Sequence, residues 1–307
     1  MEKRRKSKLT DAVGAMELIS DGMTVAIGGH SFFNKPCHLV RQLAKRGVRD
    51  LTLSASPYAG YDYDLLISVG AARRVLAGNV GFEYLGLAPN FRKACQDGTV
   101  ETVLCDEATL VGGYMASAEG VSFHPIASLF GSDVIKNNPQ IKEITGPFDG
   151  KPILAVRAII PDVLILHALQ SDEYGNIRNF GGGPFDVLMA KASRKVIVSV
   201  EEVIGNGRVL REPEQTAIPG FMVSAVVEAP FGAHPYMCMG SYVHDEDHIR
   251  DYIQRARSSL SGGNPQPFAE YLRQYVQGPE TIYDYVGQVG GTEKMMQLRR
   301  AWSYGEG

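Results

Sequence analysis

Apolar runs in which Val and Ile are prominent recur along this chain, at residues 153–156, 163–166 and 196–200, after shorter strand signals at 23–27 and 51–55. An alternating run leaves one face of a sheet wet. An unbroken run points apolar side chains to both faces, and a parallel sheet covered on both sides is what buries them. Helical signals lie between the runs. Pro36 suits the first turn of a helix with Leu39, Val40 and Leu43 inward, and Gly47 ends it. Thr10 can cap an earlier helix with Ala12, Val13, Met16 and Ile19 on one face. Further strands are predicted at 74–80 and 100–104, and further helices around Leu65 and Leu66 and at 90–95. Strands alternating with helices predict an α/β fold, an open and mostly parallel sheet flanked by helices.

The chain from Asp245 onward changes character. Charged amphipathic segments are broken by Gly262-Gly263-Asn264-Pro265 and by Gly278-Pro279. Tyr252, Tyr271, Tyr275, Tyr283 and Tyr285 give them an aromatic content that an exposed linker lacks. Residues 245–307 are therefore expected to be a helical C-terminal extension packed on the domain at 9–244 or on a partner. The cluster Lys3, Arg4, Arg5, Lys6 and Lys8 reads as a solvated, disordered tail over 1–8.

Composition excludes several classes. Of 307 residues, 44% are hydrophobic and 21% charged, so a large core can form. The net charge of −3 and the lack of a basic stripe speak against a nucleic-acid partner. No apolar run reaches the ~18 residues that cross a membrane. No apolar leader opens the chain, so the expected location is the cytoplasm. Cys37, Cys95, Cys105 and Cys238 are widely spaced and read as reduced thiols.

Four motifs carry chemistry. Gly28-Gly29-His30-Ser31 joins a strand to the Pro36 helix, and two glycines let a ligand approach the backbone. Its spacing fits neither the dinucleotide fingerprint nor a phosphate loop, and a plain tight turn accounts for it equally well. His244-Asp245-Glu246-Asp247-His248 spaces two histidines as metal ligands are spaced, but the acidic run reads as the first turn of a helix, so no metal is expected. Glu119, in Ser117-Ala118-Glu119-Gly120, has the look of an acyl-transfer nucleophile and reads better as a helix end. Asp106-Glu107 follows a strand directly. It is equally a carboxylate at a ligand crevice and a helix N-cap with an acidic first turn.

Several segments taken together resemble one family. Residues 21–29, Asp-Gly-Met-Thr-Val-Ala-Ile-Gly-Gly, are similar to the opening of family I coenzyme A transferase alpha subunits, and Lys35-Pro36 to the glutaconate branch. So are Asp162 to Ala168, Asp172 to Ile177, and the run from Ile218-Pro219-Gly220 to Gly232-Ala233-His234-Pro235. The resemblance covers roughly residues 9–245. It implies an alpha subunit in an α2β2 complex, exchanging CoA between an acyl-CoA and a carboxylic, dicarboxylic by preference, acid. The covalent intermediates form on a glutamate of the beta subunit, within a Ser-Glu-Asn-Gly-like motif that this chain lacks. A CoA thioester enters as substrate and no cofactor is bound. Gly28, Gly29 and Ser31 would shape the pocket, with Gly81 near the interface, and glycine-loop amides would donate to the carbonyl oxygen. Cys105-Asp106-Glu107 is also similar to a segment of the alpha subunit of a steroid ring-opening CoA-thioester hydrolase. In that branch, or in a C–C lyase, Glu107 would be catalytic. A non-catalytic scaffold subunit is the third reading.

Overall fold

The computed structural model describes residues 5–178, 183 and 185–305. Seven parallel strands form the central sheet: β1 (Thr24–Ile27), β2 (Leu51–Ala55), β3 (Ala72–Ala77), β4 (Glu101–Leu104), β5 (Val163–Ser171), β6 (Val196–Val203) and β7 (Val223–Glu228). Their order across the sheet is β7-β6-β5-β1-β2-β3-β4, and Ile177–Arg178 adds an antiparallel step on the end of β5. The apolar runs are buried on both faces, as expected. Val25, Ile27, Ile165 and Ile197 pack into one layer, while Ala26, Leu164, Leu166, Val196 and Val198 pack into the other.

The sheet grows outward in two directions. From β1 the chain steps to β4, then returns to lay β5 on the other side of β1. The order reverses between β1 and β5, so the loops leaving those strands diverge and open a crevice at their carboxyl ends.

Some local expectations need correction. The run at 153–156 is a strand, Pro152–Arg157, but it lies in a separate three-stranded antiparallel sheet with Phe123–Ile126 and Ile141–Thr145. The first helix, Ala12–Met16, is capped by Asp11 rather than Thr10, and Val13 faces out at 61% exposure. Thr10 instead donates its backbone N–H to Val226, because Leu9 is drawn alongside β7. That pairing also holds residues expected to be a free tail: Lys8 Nζ donates to the Gly220 carbonyl at 2.5 Å. The run at 74–80 divides into β3 and a short Asn79–Val80 strand paired with Tyr58–Ala59.

The C-terminal region is helical, over Glu246–Ser261, Gln266–Leu272, Ile282–Gln288 and Gly291–Tyr304. Tyr252, Phe268, Tyr271 and Tyr285 share one apolar layer with β1 and β2. Among the described residues no helix is long and apolar enough to cross a membrane.

Candidate active site

The crevice at the end of β1 is built around Gly28 and Gly29. A Cβ on Gly28 would overlap Leu166 and come within 2.8 Å of the Asp186 carboxylate. Gly29 has φ +76°, and a Cβ there would meet the Phe33 and Asn34 carbonyl oxygens at 2.6 Å. Only glycine combines that backbone with that closeness. The loop then folds on itself, with His30 and Phe33 exchanging backbone hydrogen bonds of 2.9 and 2.8 Å. Ser31 sits at the turn with φ 53°.

The expected oxyanion donors are engaged. Gly28 N–H donates to the Ile165 carbonyl at 2.9 Å. Gly29 N–H donates to Asp186 Oδ1 at 2.8 Å. The following helix, Cys37–Arg46, is no open anion site either, because its first amides donate to Lys35 and Gly232. The pair of glycines therefore sets a close approach and does not supply free N–H groups. Burial pushes the Asp186 carboxyl up to about 6, against the pull of the Gly29 N–H and of Lys35.

Glu107 stands across the crevice. Asp106 caps the helix Glu107–Glu119, its carboxylate accepting the Thr109 N–H at 2.8 Å. Asp106 is thus the cap of the N-cap reading, and Glu107, one residue on, is exposed in a cleft. That cleft, of about 190 Å³, is lined by Pro57, Tyr58, Asn79, Cys105, Asp106 and Glu107. His30 packs against one of its walls, its ring centroid 4.8 Å from that of Tyr58. Its Nδ1 is buried without a protein partner among the described residues. Burial and Lys35 lower the His30 pKa, while Glu107 and Glu83 oppose them.

Among the described residues, no activated nucleophile stands beside Glu107. Burial pushes the Cys105 thiol up to about 11. Ser56 Oγ donates to the Gly29 carbonyl at 2.6 Å. Glu119 closes the last turn of its helix in solvent, as a helix end does. The helix after His244 begins at Glu246 with Asp245 as its cap, and His248 bonds Tyr271 at 2.8 Å, so those histidines do not converge on a metal. Among the described residues the ligand atoms that do converge are those of His167, Glu201 and Cys238, within 4.8 Å. His167 is already spanned there by Ser199 at 2.9 Å and Glu201 at 3.0 Å.

The family model for coenzyme A transferases matches residues 9–229. The chain belongs to the coenzyme A transferase family. It is 28% identical to the A subunit of glutaconate CoA-transferase from Acidaminococcus fermentans, over 92% of this chain and 91% of that one. The crystal structure of that enzyme superposes with a TM-score of 0.90, covering 95% of this chain and 96% of its counterpart. This chain is also 33% identical to the cholesterol ring-cleaving hydrolase IpdA subunit of Rhodococcus jostii, over 91% of its own length and 94% of that relative's. An uncharacterised protein of Archaeoglobus fulgidus is 34% identical over 92% of this chain, which spans 62% of that relative's length.

This CoA-transferase chain is of the alpha type, and the matched region ends with β7, so the C-terminal helices lie beyond the family core. The structure brings Gly28, Gly29, His30, Tyr58, Asp186 and Glu107 to one crevice. Gly81 lies to the side, bridged to Leu87. His30, Tyr58 and Asp186 were not singled out from the sequence. A histidine directly after a glycine pair at a strand end was the available signal for the first. Nothing local marks the other two.

Proposed function

We propose that this chain is the alpha subunit of a heteromeric enzyme, an α2β2 assembly in the cytoplasm, that exchanges CoA between an acyl-CoA and a carboxylic, by preference dicarboxylic, acid. The observation that carries this reading is the incomplete crevice. It has a glycine floor, an imidazole and a carboxylate, and its thiol and hydroxyl are held out of nucleophilic use. The missing nucleophile is a glutamate of the beta subunit. Its carboxylate attacks the thioester carbonyl and CoA thiolate leaves, giving a mixed anhydride. The thiolate then attacks the glutamyl carbonyl, releasing the first acid and forming glutamyl-CoA, and the second acid reverses both steps. Gly28, Gly29 and Ser31 form the wall against which the acyl group lies.

A second reading rests on Glu107. It is exposed in the cleft within the electrostatic reach of His30. In a CoA-thioester hydrolase or C–C lyase it would take a proton from water or substrate. The test is an assay of the chain co-purified with its beta partner, supplied with glutaconyl-CoA or a steroid-derived acyl-CoA, with and without acetate. Product only with acetate, retained in Glu107→Ala, supports the transferase. Consumption without acetate that stops in Glu107→Ala replaces it with the hydrolase or lyase. Turnover indifferent to both Ser31→Ala and Glu107→Ala leaves a scaffold.

A further inference from the structure

Three side chains able to ligate a cation meet where β5, β6 and the segment after β7 come together. Ser199 of β6 pairs with His167 of β5, and Glu201, two residues on, points to the same face of the sheet. Cys238 closes over them from the segment that follows β7. An imidazole nitrogen, a carboxylate oxygen and a sulfur thus lie within 4.8 Å of one another. His167 and Cys238 are fully buried, and Glu201 is nearly so.

Counting hydrogens shows what the cluster lacks. The Ser199 hydroxyl has one hydrogen, and it donates it to the Leu166 carbonyl at 3.2 Å. The 2.9 Å contact between Ser199 Oγ and His167 Nδ1 is then made by the hydrogen on Nδ1. That fixes the tautomer as a metal-bound histidine is fixed, with the far nitrogen bare. The bare Nε2 stands 3.0 Å from Glu201 Oε1, which already accepts the Gly232 N–H at 3.2 Å and the Tyr242 O–H at 3.1 Å. Two lone pairs that close need a cation between them. A proton would use only those two atoms, whereas a metal ion also uses the Cys238 sulfur, a free thiol whose contact with the Met239 carbonyl is a long 3.9 Å.

We propose that His167 Nε2, Glu201 Oε1 and Cys238 Sγ bind one Zn2+. This ligand set of nitrogen, oxygen and sulfur is one that zinc accepts. Tetrahedral zinc holds nitrogen and oxygen ligands about 3.3 Å apart, and nitrogen and sulfur about 3.6 Å apart. The 3.0 Å pair has only to open slightly, and the sulfur to close within its rotamer. Binding displaces the thiol proton to solvent, and the thiolate and carboxylate then cancel the two charges of the ion. Arg299 lies 3.8 Å from the other oxygen, Oε2, and Ser241 Oγ 3.5 Å from it, so Oε1 faces the ion. The ion ties β5 and β6 to the segment on which the glycine loop is pinned: Met237, next to Cys238, donates to the Phe32 carbonyl and accepts from the Asn34 N–H, both at 2.9 Å. The site is independent of which reaction the crevice performs.

The untagged full chain, with any partner that co-purifies, is stripped with a chelator and titrated with Co2+, whose thiolate complexes absorb in the near ultraviolet. Wild type should take up one Co2+ per chain with a thiolate-to-cobalt band that Zn2+ abolishes, and Zn2+ should raise its melting temperature. Cys238→Ser should lose the band, His167→Gln should bind Co2+ at least tenfold more weakly, and Cys95→Ser, which alters the exposed thiol, should change neither. A wild-type chain with no band and no zinc-induced rise in melting temperature overturns the site and leaves a proton between His167 and Glu201. A band that survives Cys238→Ser and disappears in Cys95→Ser overturns it too. If circular dichroism shows that Cys238→Ser does not fold, the wild-type titration together with Cys95→Ser decides.

Discussion

The guanidinium of Arg41 lies 3.5 Å from the centroid of the Tyr285 ring, and both side chains are buried. Arg41 belongs to the helix after the glycine loop, Tyr285 to the C-terminal region. The guanidinium also donates to the His234 carbonyl at 2.8 Å, while its Nη2 has no hydrogen-bond acceptor among the described residues. The ring face is what receives the remaining charge. Tyr285→Phe keeps the ring and loses only the 2.7 Å contact of its hydroxyl with His234, costing about 1 kcal/mol. Tyr285→Leu should cost about 2 kcal/mol more, the scale of a desolvated cation–π pair. Urea midpoints of the two variants measure the difference, and equal midpoints would refute it.

Lys35 and Asp62 form a fully buried ion pair at 3.1 Å, with Lys35 also donating to the Tyr58 carbonyl at 2.8 Å. Lys35→Met leaves Asp62 buried and unpaired and should destabilise the chain by about 3–5 kcal/mol. Asp62→Asn added to it removes the stranded charge and keeps an acceptor for the Gly60 N–H, now bonded at 2.6 Å. The double variant should therefore be more stable than Lys35→Met alone. Chemical denaturation decides it, and a double variant that is less stable removes the argument.

The two glycines of the loop should respond differently. At Gly28 the clash is with side-chain atoms of Leu166 and Asp186, which can shift. At Gly29 it is with main-chain oxygens in a left-handed backbone, which cannot. Gly29→Ala should lower the melting temperature further than Gly28→Ala and cost more activity, on the order of 100-fold for a loop displaced by an ångström. Paired melting and initial-rate measurements test the order, and a reversed order would falsify it.

Burial lowers the His38 pKa to about 3, with Arg41 and His167 adding to the effect. Between an ordinary histidine value and about 3, the unfolded chain binds a proton that the folded chain refuses. His38 thus contributes stability that is lost as pH falls through that window. Asp64 and Asp186 are both raised by burial to about 6, and their contribution has the opposite sign: it is greatest on the acid side and lost as pH rises toward 6. Replacing His38 with Gln should change the slope of unfolding free energy against pH, between pH 6 and 4, by about 1.4 kcal/mol per pH unit. The slope is the readout, so a general loss of stability does not confuse it; an unaltered slope counts against a neutral His38.

The sequence by itself determined the layered α/β architecture, because apolar runs alternating with amphipathic helices are buried when helices cover both faces of a mostly parallel sheet. It set the β2 boundaries at Leu51 and Ala55 and the helix between Pro36 and Gly47, where caps and periodicity are local. It pointed to the glycine loop and to Asp106-Glu107 as strand-end features. Only the tertiary structure decided the rest. Whether an apolar run joins a parallel sheet depends on its neighbours, so the run at 153–156 gave no sign of its antiparallel partners. Whether a glycine N–H is free depends on Asp186, which arrives from 157 residues away. Asp106 and Glu107 stand side by side at the cleft, yet Asp106 is held by the Thr109 N–H as the helix cap and Glu107 is exposed, a difference made by the path of the helix they open. Spacing along a chain records which groups can meet locally, and the crevice is made of groups that meet only after the sheet has reversed its direction of growth.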